Sequence, residues 1–357
     1  MNLSNETTPL CFSINSPPFT FNHSIGSVYF SSVFSVLGLT FNLIAFMVLL
    51  NTFRNTHSRS RSSFLVFLGG LVVTDFLGLL VTGCIVVTFH ITKFNWRQVD
   101  PNCMFCNFMG MSMVFYGLCP LLLGAAMAVE RFVGINRPFA RSTSMTKSRA
   151  VSMVVMVWTM AGAISLLPLV GVGSYHMQIP GSWCFFNISS EASDMAMCLI
   201  FSLVGLLCIA TSFLLNTVSV VTLVRVCCGQ DASQRRRDYE VEMMVQLIWI
   251  MLIGSICWCP LLVFIAQTVL AGNQLHIRSL LLFIRFATWN QILDPCVYIL
   301  FRRAIFKRLF PNLDWSRGSL RTLNPASFVG HIRRLTRTSL ADTQGALSKE
   351  QYRAPTD

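Results

Sequence analysis

Long apolar runs dominate the chain, and the charged residues gather between them. Seven runs stand out, near residues 26–51, 64–90, 104–130, 150–173, 194–225, 241–271 and 279–301. Each is long enough to cross a bilayer as a helix, because about 20 residues at ~1.5 Å rise match a hydrocarbon core of about 30 Å. The seventh run, SLLLFIRFATWNQILDPCVYILFRR (Ser279–Arg303), is unusual. It carries a cation, Arg285, and a carboxylate, Asp294, beside Pro295. Ionisable groups at membrane depth are costly, so each points to a functional site. On an ideal helix the two stand roughly 13 Å apart along the axis and about half a turn around it, too far to pair directly. Arg285 therefore needs a partner from outside its helix, and Asp294 needs one from the bundle interior.

Composition agrees with a membrane solvent: 54% of residues are hydrophobic and 12% charged, against about 25% charged in a soluble domain. The net charge of +12 would suit nucleic acid, but its placement argues otherwise. Of the 27 Lys and Arg, Lys93, Arg97 and Arg278 fall in one set of alternate connections, Arg285 lies inside the seventh run, and the rest fall in the other set and the tail. The positive-inside rule then gives an extracellular N-terminus and a cytoplasmic C-terminus. The basic charge reads as membrane topology, with no nucleic-acid partner. Residues 1–25 lack a basic n-region and a cleavage site, so the first run is expected to act as its own uncleaved signal.

The expected architecture is an all-α, seven-transmembrane helix bundle over residues 26–302. Residues 1–25 form a glycosylated extracellular segment, and 314–357 a disordered cytoplasmic tail. Between bundle and tail, residues 303–313 repeat Ile305, Phe306, Leu309 and Phe310 at helical spacing opposite Lys307 and Arg308. That pattern predicts a short amphipathic eighth helix on the inner membrane surface.

Sequons occur at Asn2, Asn5, Asn22 and Asn187, while Asn15 is followed by Ser-Pro and is not one. All four fall on the side that the charge distribution makes extracellular, which favours real glycans. Four of the 13 cysteines lie in or beside extracellular connections: Cys11, Cys103, Cys106 and Cys184. Four cysteines allow three pairings. A Cys106–Cys184 bridge would pin a long loop across the bundle mouth, leaving Cys11 to pair with Cys103. The loop itself reads PGSWCF (Pro180–Phe185), a turn with a large aromatic, Trp183, that predicts a rigid lid.

Polar residues inside the runs suggest a shared interior. Asn42 is in the first, Asp75 in the second, and Asn290 and Asp294 in the seventh. Two carboxylates facing one cavity need a proton, a cation or hydrogen-bond donors, so a sodium ion near Asp75 and Asp294 is one reading and polar contact between helices the other. Glu130-Arg131-Phe132 closes the third run, where adjacent opposite charges can hold each other. In the sixth, Cys257-Trp258-Cys259-Pro260 predicts a proline kink with Trp258 near it. Its two thiols lack the further ligands a metal would need.

Seven spans with Asn42, Asp75, Glu130-Arg131-Phe132, Trp158, the CWCP run and Asp294-Pro-Cys-Val-Tyr298 resemble a rhodopsin-class G-protein-coupled receptor. Asp294 stands where that class commonly has Asn, and Phe132 where Tyr is common. The Asp form, the PGSWCF loop and Arg285 together resemble the prostanoid receptors. The resemblance implies that Arg285 binds the carboxylate of a fatty-acid-derived agonist, which suits the two-pronged geometry of a guanidinium. It implies further ligand contacts at Thr82, Met113, Ser182, Trp183, Trp258 and Thr288. The switch would comprise Asp75, Glu130, Arg131, Trp258, Pro260, Asn290, Asp294, Pro295 and Tyr298. Implied partners are a lipid ligand, heterotrimeric G proteins, arrestin and receptor kinases, and no cofactor is expected.

Other functions fit less well. Amine receptors of the class carry a carboxylate in the third span where this chain has Met113. The runs show no internal symmetry of the kind that marks many transporters. The six histidines form no i,i+4 pair that would suggest a metal or a catalytic triad.

Overall fold

In the computed structural model, residue 11 and residues 28–56, 59–92, 94–136, 145–179, 181–229, 234–272 and 275–300 are described. The apolar runs become the long helices α1 (Val28–Arg54), α2 (Arg59–Thr92), α4 (Met104–Asn136), α5 (Lys147–Leu166), α6 (Ala192–Gly229), α7 (Gln234–Ala271) and α8 (Ile277–Leu300). Six of them contain spans long and apolar enough to cross a membrane; α8 carries Arg285 and Asp294 within its length. A four-residue helix, α3 (Trp96–Val99), sits in the α2–α4 connection. The eighth helix expected at 303–313 and the disorder expected of 314–357 fall outside the described residues, as do the sequons at Asn2, Asn5 and Asn22.

The bundle is apolar outward and polar at its centre. Val33, Val36, Leu43 and Met47 of α1 and Leu203, Leu207, Phe213 and Leu214 of α6 are exposed, while Asn42, Asp75, Asn290 and Asp294 are buried. A protein dissolved in water would not leave such faces uncovered, whereas lipid covers them. α4 is the central helix: it packs against α2, α5, α6, α7 and two short strands.

Local chemistry sets the helix ends. Thr146 caps α5 by accepting from the Arg149 amide at 3.4 Å. α5 then gives way to a 3-10 turn, Leu167–Val170, at Pro168, whose ring and missing N–H do not suit a continuing α-helix. Gly171 closes the turn at φ 97°, a left-handed conformation costly for residues with a Cβ. At the start of α4, Asp100 Oδ2 accepts from the Cys106 amide at 2.8 Å, satisfying one of the N–H groups a helix leaves unpaired.

The loop expected to be a rigid lid is a β-hairpin. β1 (Tyr175–Gln178) and β2 (Trp183–Phe186) pair antiparallel, with Tyr175 opposite Phe186 and Gln178 opposite Trp183. Gly181, at φ 90°, returns its amide to the Gln178 carbonyl at 2.7 Å in the turn. Every residue of both strands is buried.

Candidate functional site

The hairpin end of the bundle is closed by covalent and packed contacts. Cys106–Cys184 ties β2 to α4, and Cys11–Cys103 ties the N-terminal segment one turn earlier, so both expected pairings are present. Tyr175 Oη donates to the Ser165 carbonyl at 2.7 Å, holding β1 on α5. The Tyr175 and Phe186 rings stack with centroids 5.8 Å apart.

Asp194, in the first turn of α6, gathers both flanks of the hairpin. Its carboxylate accepts from Ser174 Oγ at 2.9 Å, Ser189 Oγ at 2.6 Å and the Asn187 side-chain amide. A carboxylate here also faces the positive end of the helix dipole. The Asn187 nitrogen, where a glycan would be attached, is thus engaged with protein. The neighbouring His176 is held below the usual histidine pKa by burial, with Asp194 acting in the opposite direction.

The residues expected around the ligand come from five elements. Ser182 and Trp183 are buried at the hairpin. Arg285 and Thr288 are partly buried on α8, Met113 on α4 and Thr82 on α2, while Trp258 is buried on α7. Thr82 and Thr288 each donate to the carbonyl one turn back, Gly78 at 2.6 Å and Ile284 at 3.0 Å. Trp258 lies over Gly117 of α4, where an added Cβ would stand 2.8 Å from Cη2. Such an approach is possible only without a side chain.

Below Trp258 lies the polar interior. Asn42 Nδ2 donates to the Gln291 carbonyl at 2.9 Å, joining α1 to α8. Asn290 Nδ2 donates to Asp294 Oδ2 at 2.9 Å. Asp75 is fully buried and feels the charge of Asp294. Among the described residues, neither Asp75 oxygen has a hydrogen-bond partner, and nor does Asp294 Oδ1. Three buried carboxylate oxygens with so few donors suit a monovalent cation, a proton or water. Trp158 Nε1 donates to Thr74 Oγ1 at 3.1 Å, binding α5 to α2 beside Asp75.

At the opposite end, Glu130 and Arg131 hold each other as the sequence suggests. Arg131 donates through Nε and Nη2 to the two Glu130 oxygens, the latter at 2.8 Å. The guanidinium also reaches Met243 Sδ of α7 at 3.4 Å and stands 5.2 Å from the Phe64 ring centroid of α2. Both charges are nearly inaccessible, at 3% and 7% exposed. Pro260 and Pro295 lie inside α7 and α8, and Tyr298 is buried toward this end.

Several contributors escape a sequence reading: Gly117 beneath Trp258, Asp194 at the hairpin, and Asn216 of α6, which donates to Met251 Sδ at 3.5 Å. An Asp near a helix start is a recognisable signal. A helix-interior glycine becomes informative only when its neighbour is known.

The sequence profile of the 7 transmembrane receptor (rhodopsin family) matches residues 44–298. The chain is 55% identical to the thromboxane A2 receptors of Bos taurus and Homo sapiens over 307 residues, covering 83% of this chain and 89% of each relative. It is 39% identical to the Homo sapiens prostaglandin F2-alpha receptor over 288 residues, 80% of both chains. Squid rhodopsin superposes with a TM-score of 0.65 at 20% identity, over 82% of this chain and 85% of that one, a likeness of fold. These relatives are receptors and not enzymes, and like them the chain is a multi-pass membrane protein. The chain belongs to the rhodopsin family of seven-transmembrane receptors, within its prostanoid group.

Proposed function

We propose that the chain is a receptor for thromboxane A2 and its prostaglandin endoperoxide precursor, signalling through Gq-class and Rho-activating G proteins to calcium release. The observation that carries this reading is 55% identity with thromboxane A2 receptors across most of both chains. Arg285, partly buried within an apolar helix, supplies the chemistry for an acidic lipid. The agonist carboxylate meets its guanidinium, roofed by Ser182 and Trp183, and the apolar chain descends past Thr82, Met113 and Thr288 toward Trp258. Displacing Trp258 turns α7 about Pro260 and releases Arg131 from Glu130. The ligand drives this change only by its preference for the open form.

By the charge distribution, the N-terminus is extracellular and the C-terminus cytoplasmic in the plasma membrane. Arrestin and receptor kinases then meet the Arg131 end. The four sequons are on the glycosylation-accessible side. A sodium ion between Asp75 and Asp294 stabilises the resting form, offsetting two buried carboxylates. Replacing sodium by N-methylglucamine should raise agonist affinity in the intact receptor and leave Asp75→Asn unaffected; equal effects on both would remove the ion.

The second reading is a receptor for another prostanoid, favoured by 39% identity to the prostaglandin F2-alpha receptor. Calcium release in transfected cells challenged with a prostanoid panel separates the two. A thromboxane mimetic should act at the lowest concentration. A response to another prostaglandin at far lower concentration would overturn the assignment.

A further inference from the structure

The sequon Asn187-Ile188-Ser189 lies among the described residues, and the folded chain occupies both groups that glycosylation needs. N-glycosylation joins the asparagine nitrogen to the anomeric carbon of a sugar carried on a lipid diphosphate; one amide proton is lost and the lipid diphosphate leaves. The motif requires a hydroxyl two residues on, which the transferase holds during the step. Here the Asn187 amide and the Ser189 hydroxyl both donate to one oxygen, Asp194 Oδ2, the hydroxyl at 2.6 Å. Ser174 Oγ donates to the other oxygen, Oδ1, at 2.9 Å.

The backbone is held as well. Asn187 N–H donates to the Ser174 carbonyl at 2.9 Å, the Cys198 thiol to the Asn187 carbonyl at 3.7 Å, and the Glu191 amide to Ser189 Oγ at 3.2 Å. Asp194 is 2% exposed, so a sugar leaving along the Asn187 nitrogen would meet the end of α6 instead of water. A buried carboxylate needs its donors, and surrendering Asn187 or Ser189 would strand part of its charge.

Timing favours the fold over the transferase. Ser174, Asn187, Ser189 and Asp194 are close in sequence, Asp194 following Asn187 by seven residues in the first turn of α6. Local structure such as a hairpin closes in about 1–10 μs, whereas synthesis adds about 5–20 residues per second. The two processes compete for the same amide and hydroxyl, and the faster one takes them. We propose that Asn187 is withheld from glycosylation and serves as a structural donor, and that Asp194 is the residue that withholds it. The sequon faces the side where glycans are added and still carries none.

To test this, the full-length receptor from transfected cells is denatured and treated with peptide-N-glycosidase in heavy-oxygen water. Each occupied asparagine becomes a heavy-labelled aspartate, so mass spectrometry of the peptide bearing residue 187 reads occupancy. Total lysate is used, so that receptors retained inside the cell are counted. Wild-type Asn187 should remain asparagine in nearly every molecule, and Asp194→Ala should raise occupancy many-fold. Cys184→Ser, which unties the hairpin from α4 but keeps Asp194, should leave Asn187 unoccupied. Asn187→Ala should lower the melting temperature of the purified receptor. An occupied Asn187 in the wild type would overturn the proposal. An unoccupied one in Asp194→Ala would also overturn it, tracing the empty sequon to its closeness to the membrane-spanning segment that begins at Ala192. A many-fold rise in Cys184→Ser would assign the shielding to hairpin folding at large and remove Asp194 from the role. An unchanged melting temperature in Asn187→Ala would end the structural role of the amide.

Discussion

Gly117 of α4 and Trp258 of α7 meet so closely that a Cβ at Gly117 would stand 2.8 Å from the indole. Real Cβ atoms do not approach other atoms that closely, and an indole packed in a core cannot swing aside as the end of a lysine can. Gly117→Val should therefore overpack the bundle and lower stability by about 1–3 kcal/mol. Trp258→Phe should relieve part of the loss in the double variant. Thermal melting of the four receptors in detergent checks this coupling; additive effects would mean that the contact carries no energy.

Glu130 and Arg131 form a two-pronged ion pair shielded by Phe64 and Met243. Removing one charge of a buried pair strands the other, at about 3–5 kcal/mol. Glu130→Gln should lower the melting temperature and raise agonist-independent inositol phosphate production several-fold. A silent basal signal with normal surface expression would separate this pair from activation.

Charge-assisted hydrogen bonds contribute roughly 1.5–3 kcal/mol, or about tenfold to a hundredfold in affinity. Arg285→Ala should weaken a carboxylate agonist by that factor while surface expression is kept. The methyl ester of the same agonist should bind the wild type weakly and lose little more in Arg285→Ala. An ester that loses as much as the acid would place the carboxylate elsewhere.

Cys184→Ser frees β2 from α4. Loss of a native disulfide typically removes about 2–5 kcal/mol, here from the hairpin that closes the mouth. Saturable radioligand binding should disappear even where protein reaches the cell surface. Cys11→Ser, which leaves the hairpin attached, should reduce binding without abolishing it.

His176 is held below its usual pKa by burial, partly offset by Asp194. The unfolded chain therefore takes up a proton at higher pH than the folded hairpin does. The stability contributed by neutral His176 is complete above the unfolded value of about 6.5 and is lost as pH falls toward the lower folded value. Antagonist dissociation should quicken between pH 7.5 and 5.5, and His176→Gln should flatten that dependence.

Much of this architecture is legible in the sequence because the bilayer imposes a length rule. An uninterrupted apolar run has one stable use, and the seven runs became seven long helices. Arg285 and Asp294 announce themselves by being charged where charge is costly. The hairpin strands were hidden for a physical reason: both faces of each are buried, so the alternation that marks a half-exposed strand is missing. Asn187 reads as a sequon, but its partner Asp194 is invisible until the loop is folded back onto α6. Gly117 and Gly254 look alike in sequence. One admits an indole and the other leaves a space, and only the opposing helix tells them apart.

Cys103 and Cys106, which anchor the two disulfides, stand on either side of the start of α4 at Met104, and Cys103 itself adopts φ 58°. The hairpin and Cys11 therefore share a covalent mooring at one helix end, while Tyr175 and Asp194 also hold the hairpin to α5 and α6. A shift of α4 along its axis would pull on both disulfides at once and would strain the hairpin's ties to α5 and α6, so reshaping the entrance takes three helix ends moving in concert.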